Sequence, residues 1–393
     1  MREAVVKPVG VFGVDAAVGG GALDASVDDV EVEVVGMWAS GPSQVVAKVM
    51  VSAPVVVVMG LLSRVLVTLW DQTSDVWSTL IIVTMPPHFC KGKTMNTTPL
   101  VIGAYAALPA TRADQETFYD RLHADLEATG LELPFRDSIH DDPAWLASQL
   151  AGRFTDSIIT AIPGTMMRVW DGGTFGLASP DDDGRNAAIA FTRSIIDSAR
   201  ALDDAAGHRV IAGIHIHSAP SVTANRDQFL RSLTELLEGM DNDDPRLIIE
   251  HCDRYNEAVT GEKRFLSIEQ EIAIAKETGI GITVNWGRSA MEAYDTQLPA
   301  RHIQALVAEG VFEGVMFSGA GDKENTFGAA WADLHLPHHV DEPASLMDDD
   351  RIAECLSAAG GAQKYHGAKI QAPAEADVAT RVTMLGHITR HLR

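Results

Sequence analysis

In the stretch Arg246-Leu247-Ile248-Ile249-Glu250-His251-Cys252-Asp253, an apolar run breaks into a cluster of titratable groups. A buried parallel strand looks like this where it reaches an active-site face. Two further stretches carry groups of the same kind. Ile214-His215-Ile216-His217-Ser218-Ala219-Pro220 alternates imidazole with aliphatic side chains. Asp333-Leu334-His335-Leu336-Pro337-His338-His339 puts three histidines and an aspartate within seven residues, a set able to ligate a metal or, equally, an exposed polar loop. The chemistry these side chains suit is proton transfer beside a polarised bond, with or without a metal.

Such groups need elements to position them. From residue 99 onward, short apolar runs alternate with longer amphipathic stretches. The runs at 100–108, 131–135, 157–162, 210–217, 247–252, 281–286, 314–318 and 367–371 read as strands. Helices are expected at 114–129, 143–151, 184–206, 225–239, 267–278, 298–309, 345–359 and 374–392. Ser267 to Gln270 reads as a capping box, and Gly130, Gly207, Gly279 and Gly310 sit where helices should stop. Eight strand–helix units in about 300 residues predict an α/β protein, a (β/α)8 TIM barrel over residues 95–393. An open doubly wound sheet would not need the eighth unit. No glycine-rich nucleotide motif or hydrolase elbow is present.

Strand alternation then sorts the side chains by face. Ile214 and Ile216 turn to the helices, so His215 and His217 turn inward. By the same parity Glu132, Glu250, Cys252, Asn285, Ser318, Lys369 and Gln371 face the axis, and Tyr105 shares a face with Gly103. A purely structural barrel would fill these positions with aliphatic layers. Charge buried there is expensive unless paired, so the set points to a ligand site. The structural alternative is a satisfied network, for example Glu132 with Lys369. After the third strand comes a polar-aromatic loop, Arg168-Val169-Trp170-Asp171-Gly172-Gly173. After the sixth comes the loop Trp286-Gly287-Arg288-Ser289, in which Trp286 and Arg288 are candidates for substrate binding. Arg288 could clamp an anionic substituent or bridge to a neighbouring acid. The longest loop follows the seventh strand, from Gly319 to about Glu342.

Composition narrows the partners. The chain has 393 residues, is 46% hydrophobic and carries a formal charge of -23, which argues against nucleic acid and against an anionic membrane surface. Three widely spaced cysteines, Cys90, Cys252 and Cys355, form no disulfide framework, and a reducing cytoplasm is expected. Residues 1–94 are rich in Val and Gly and differ from the rest. Their longest uncharged run, Val49 to Ser63, is short for a membrane span of about 20 residues, and no secretory signal is visible. They are read as a poorly ordered extension, as a mis-called start with the true initiator at Met95, or as a small β domain or anchor.

From about residue 95 the chain resembles the xylose-isomerase-like TIM barrels, which include sugar isomerases and epimerases and endonuclease-like members. More narrowly it resembles an uncharacterised bacterial branch known only as a domain of unknown function. The resemblance rests on Ile214-His215-Ile216-His217, on Ile249-Glu250-His251-Cys252, on Asp333-Leu334-His335 and on Ala368-Lys369-Ile370-Gln371. It implies a divalent metal, zinc or manganese, on Glu250, His217, Asp333 and His335. Asn285 and Gln371 stand where the family has acids, and a carboxamide neither carries charge nor shuttles a proton. The implied activity is isomerisation or epimerisation of a sugar or sugar acid. Glu250 would be base or metal ligand, His215 and His217 would polarise the carbonyl or shuttle the proton, and Lys369 would stabilise an enediolate. Tyr105, Glu132, Asn285, Trp286, Arg288, Ser318 and Gln371 would bind the carbohydrate. The alternatives are a metal-assisted lyase or hydrolase and a non-catalytic carbohydrate-binding barrel. The resemblance also makes a homodimer an expectation.

Overall fold

The computed structural model describes residues 98–393 and, before them, three strands: β1 (Val32–Ala39), β2 (Val45–Val51) and β3 (Ile81–Val83). These three form an antiparallel sheet in the order β1-β2-β3. The remaining readings of residues 1–94 fall outside the described residues. The chain divides into two compact units, Met1–Asn96 and Thr97–Arg393.

The second unit is a closed parallel barrel of eight strands. They are β4 (Leu100–Ile102), β5 (Gly130–Pro134), β6 (Ser157–Thr160), β7 (Ile211–Ile216), β8 (Arg246–His251), β9 (Gly281–Asn285), β10 (Phe312–Phe317) and β11 (Tyr365–Ala368). Consecutive strands pair in parallel, and β11 closes on β4 with Gly367 opposite Val101. The expected (β/α)8 barrel is thus the observed fold.

Between the strands lie α1 (Arg112–Leu126), α2 (Pro143–Leu150), α3 (Ile162–Gly172), α4 (Asp182–Ala206), α5 (Arg226–Leu237), α6 (Ile268–Thr278), α7 (Trp286–Ala293), α8 (Leu298–Ala308), α9 (Asp349–Ala359) and α10 (Val378–Thr389). Two of these were expected as loops. Residues 168–172 form the end of α3, capped by Gly173 and with Trp170 projecting into solvent, and residues 286–289 form the first turn of α7. Helix α7 starts directly at the end of β9 and α3 one residue past β6, so no polar linker marks either in the sequence. The capping box of α6 is present, with Ser267 and Gln270 each satisfying the other's backbone N–H. Gly207 and Gly279 take left-handed φ past α4 and α6, whereas α1 ends at Leu126 with Glu127 as its left-handed cap and Gly130 already belongs to β5.

The apolar core has two parts. A large cluster fills the shell between strands and helices. A small one, Val101, Ile158, Ile248, Met316 and Tyr365, plugs the barrel axis. Its first four members come from alternate strands β4, β6, β8 and β10, the layering such barrels use. Above this plug the axis is polar. Among the described residues no helix is long and apolar enough to cross a membrane.

Candidate active site

The inward residues above the plug meet as alternation requires. They rest on Tyr365 of the plug itself, whose hydroxyl lies 2.6 Å from His215 Nε2 and 2.5 Å from Thr283 Oγ1. His215 Nδ1 lies 3.4 Å from Glu132 Oε1. Glu132 in turn holds Lys369 Nζ at 3.0 Å, so the pair named as the structural alternative does form. Lys369 can lie there because Gly103 faces it: a Cβ on Gly103 would stand 2.5 Å from the lysine Cβ. The ring of Tyr105, in a short 3-10 turn after β4, sits 5.5 Å from Lys369 Nζ.

Glu250, at the end of β8, is the centre of the upper layer. His217 Nε2 approaches its Oε2 at 2.8 Å, Arg288 Nη1 the same oxygen at 2.8 Å, and Asn285 Nδ2 donates to Oε1 at 3.4 Å. Arg288 reaches Glu250 from the first turn of α7, which Asn285 caps through its Oδ1. The other edge of the guanidinium, Nε, donates to Asp333 Oδ2 at 3.0 Å. Asp333 also accepts Lys263 Nζ at 3.1 Å and lies 3.2 Å from His335 Nδ1, which bonds Ser318 Oγ at 2.7 Å. Three carboxylates, Glu132, Glu250 and Asp333, therefore face three cations, Lys263, Arg288 and Lys369, all essentially buried.

These pairs set the protonation states. Burial alone would raise the Glu250 carboxyl, but Arg288 and Lys369 and the His217 bond hold it well below its usual range. Burial is likewise outweighed at Asp333 by Arg288, His335 and Lys263, and at Glu132 by Lys369 and His215. Burial dominates at the imidazoles instead. It brings His217 down to about 4 and His335 to about 4, so both are neutral at neutral pH. It pushes the Tyr105 phenol up to about 12 and the Cys252 thiol well up. His217, with Nε2 on Glu250, leaves a buried Nδ1 that has no hydrogen-bond partner.

Of the residues picked from sequence, Glu132, His215, His217, Glu250, Asn285, Ser318, Asp333, His335 and Lys369, together with Arg288, are brought together. Trp286 is not: it is fully buried in the shell between strands and helices, one face away from the axis. Gln371 stands beyond the end of β11 and donates to the Leu334 carbonyl at 2.7 Å. The histidine-rich loop splits: Asp333 and His335 enter the mouth, whereas His338 and His339 face Asp349 and the Ser345 carbonyl. Cys252 lies at the edge of the site, 3.6 Å from Arg288 Nη1. Sequence reading missed Lys263, which a loop delivers from a distance. It also missed Tyr365, because the strand was started two residues late; the parity that turns Lys369 inward would have included it.

The four residues expected to hold zinc or manganese do not fit a metal as arranged. Glu250 and Asp333 are bridged by a guanidinium, and Lys263 shares with it the same Asp333 oxygen, Oδ2. Those fixed cations already supply the positive charge a divalent ion would bring, and Asn285 and Gln371 are engaged by protein partners. Glu132, His215 and Glu250 do offer ligand atoms close to one another, but Lys369 sits on Glu132.

A (β/α)8 barrel with a charge-balanced polar mouth is the class this geometry defines. The chain belongs to the family described as domain of unknown function DUF4862, whose model matches residues 101–384. It is 32% identical over 305 residues to an uncharacterised protein of Salmonella typhimurium strain LT2, covering 74% of this chain and 95% of that one. Similar solved structures include an L-ribulose 3-epimerase at 15% identity and a TM-score of 0.49, over 75% of this chain and 94% of that chain. A xylose isomerase-like TIM barrel protein from Mycobacterium smegmatis in complex with magnesium gives 11% and 0.45, over 75% and 96%. At such identity neither carries its chemistry over to this chain.

Proposed function

We propose that the barrel mouth catalyses proton transfer next to the carbonyl of a sugar or sugar acid, as an isomerase or epimerase. The observation that carries this reading is the Glu250–His217 pair. A carboxylate fixes one imidazole nitrogen at 2.8 Å, and the other is buried without a partner. A neutral imidazole oriented by a carboxylate is a base at neutral pH. Glu250 itself is committed to Arg288 and His217 through one oxygen, and becomes the group that orients His217. His217 Nδ1 takes the proton from the carbon beside the carbonyl, and the electron pair moves to the carbonyl oxygen. Lys369, and Arg288 once a substrate oxygen competes for it, stabilise the enediolate so formed. Returning the proton to the former carbonyl carbon, as the hydroxyl proton passes between the two oxygens, gives the isomer, and protonation of the original carbon from the opposite face gives the epimer. The proton for the opposite face comes from water, because His335, the imidazole bonded to Ser318 across Arg288 and Asp333, is neutral and not an acid at that pH.

The residues are buried, so substrate enters when the covering loops part. Asp333 N–H donates to Glu262 at 2.8 Å, and Gln371 holds both the Leu334 and His335 carbonyls. Trp331 and His335 on this cover take left-handed φ of 56° and 50°, conformations a bulky side chain rarely adopts.

The test is solvent-deuterium exchange into a panel of aldoses, ketoses and sugar acids, followed by NMR with wild type and with His217→Gln and Glu250→Gln. Both variants should lose about 10²–10⁴-fold in exchange and turnover. Undiminished exchange in His217→Gln would remove its role. Saturable binding of a panel member to wild type with no exchange at all would favour a carbohydrate-binding barrel, to which the tied-up amides of Asn285 and Gln371 also lend support.

A further inference from the structure

A second buried polar cluster lies on the other side of β8, where the strand faces the helices. His251 follows Glu250 and so points outward. Its Nδ1 is 2.7 Å from Glu271 Oε2 on α6, and its Nε2 is 3.1 Å from Glu292 Oε2 on α7. His302 on α8 has its Nδ1 3.1 Å from Ser289 Oγ and its Nε2 3.8 Å from Glu292 Oε1. The two imidazole rings are almost perpendicular, with centroids 4.9 Å apart. One ligand-capable atom from each of His251, Glu292 and His302 lies within 4.8 Å of the others. All three residues, with Glu271 and Ser289, are buried.

Both imidazoles are set in the same way. Each has its Nδ1 on an oxygen partner, Glu271 or Ser289, which turns its Nε2 toward the shared carboxylate. Metal-bound histidines are oriented by partners of this kind on the far nitrogen. We propose that His251, Glu292 and His302 form a binding site for a divalent transition ion of the zinc type, with Glu271 and Ser289 as orienting partners. Two imidazoles and a carboxylate, at about 2.0–2.2 Å from the ion, suit zinc. The side open to a fourth ligand is that of Arg254, whose half-exposed guanidinium lies 3.1 Å from Glu292 Oε1 and is the group an entering ion would displace.

The site ties β8, α7 and α8 together. Glu292 stands one turn beyond Arg288 on α7, so an ion held there also fixes the helix that presents Arg288 to Glu250. It is a structural site and stands independently of the reaction assigned to the barrel mouth.

The experiment uses the full chain, stripped with a chelator, incubated with zinc or cobalt(II) and desalted. Wild type should retain a single equivalent, and the cobalt form should show the intense visible bands of a four-coordinate ion. His302→Gln should lose the ion and the bands, and Glu271→Gln should weaken affinity about 10–100-fold. His217→Gln and Asp333→Asn, at the mouth, should keep the full equivalent. No retention by wild type, or retention that depends on His217 rather than His302, would overturn the site. Loss of a buried histidine can itself unfold a chain, so imidazole 15N NMR of the wild type gives a reading without substitution. Added zinc must shift the Nε2 resonances of two histidines; unchanged resonances would mean that only a proton sits between His251 and Glu292.

Discussion

Lys369→Met puts a number on the charge balance of the mouth. Methionine keeps most of the side-chain volume in the space Gly103 leaves, so packing is nearly conserved. What is lost is the cation 3.0 Å from Glu132. The stranded carboxylate can relieve itself by taking a proton. From an unfolded pKa of about 4.3, doing so at pH 7 costs about (7 − 4.3) × 1.36, or about 3.7 kcal/mol, and at pH 5 about 1 kcal/mol. The value at pH 7 agrees with the roughly 3–5 kcal/mol for breaking a buried pair. The sign follows from both states. In wild type the Glu132 carboxyl is held below its ordinary range, so its contribution is present above the unfolded pKa and lost as pH falls. In the variant its folded pKa lies above the unfolded one, so the penalty grows as pH rises. The assay is urea unfolding followed by fluorescence at pH 5 to 8, with equal m-values as the check on a common transition. The variant should lose about 3–4 kcal/mol at pH 7 and about 1 kcal/mol at pH 5. Lys369→Met with Glu132→Gln should recover most of the loss and flatten the pH dependence. A loss below about 1 kcal/mol at pH 7, or one independent of pH, would refute the reasoning.

Two more substitutions test the scaffold. Asp253 is fully buried and accepts the backbone N–H groups of Glu262 at 2.7 Å, Lys263 at 2.9 Å and Arg264 at 3.0 Å, so it shapes the loop that delivers Lys263. Asp253→Ala should cost about 1.5–3 kcal/mol and speed limited proteolysis within residues 253–265, while Asp253→Asn should cost less. Gly367→Ala would place a Cβ 2.1 Å from the Val101 carbonyl at the strand pair that closes the barrel. It should cost about 3 kcal/mol or prevent folding, whereas Gly207→Ala, with no atom near its Cβ, should cost only its left-handed φ, about 1 kcal/mol, as thermal unfolding will show.

The barrel was legible because eight short apolar runs alternate with stretches of helical pattern. The polar axis was legible from the same rule: once Ile214 and Ile249 are turned outward, His215 and Glu250 have nowhere else to go. Helices α3 and α7 were not legible, because α7 begins directly after β9 and α3 one residue past β6, and both carry glycine and tryptophan more typical of turns. The ends of strands were misjudged at β11, which starts at Tyr365 rather than Gly367, and with it the hydroxyl that anchors His215 was overlooked.

Alternation along the chain determined which side chains reach the axis, since a residue cannot change face without breaking its strand. Only the tertiary structure decided what those side chains do to one another. Arg288 could have met a substrate anion or a protein acid from the same sequence; the start of α7 at Trp286 swings it between Glu250 and Asp333. The physical reason is range. Periodicity is fixed by backbone sterics over a few residues, whereas ion pairing is fixed by which loops and helices converge across tens to hundreds of residues, as Lys369 and Glu132 do.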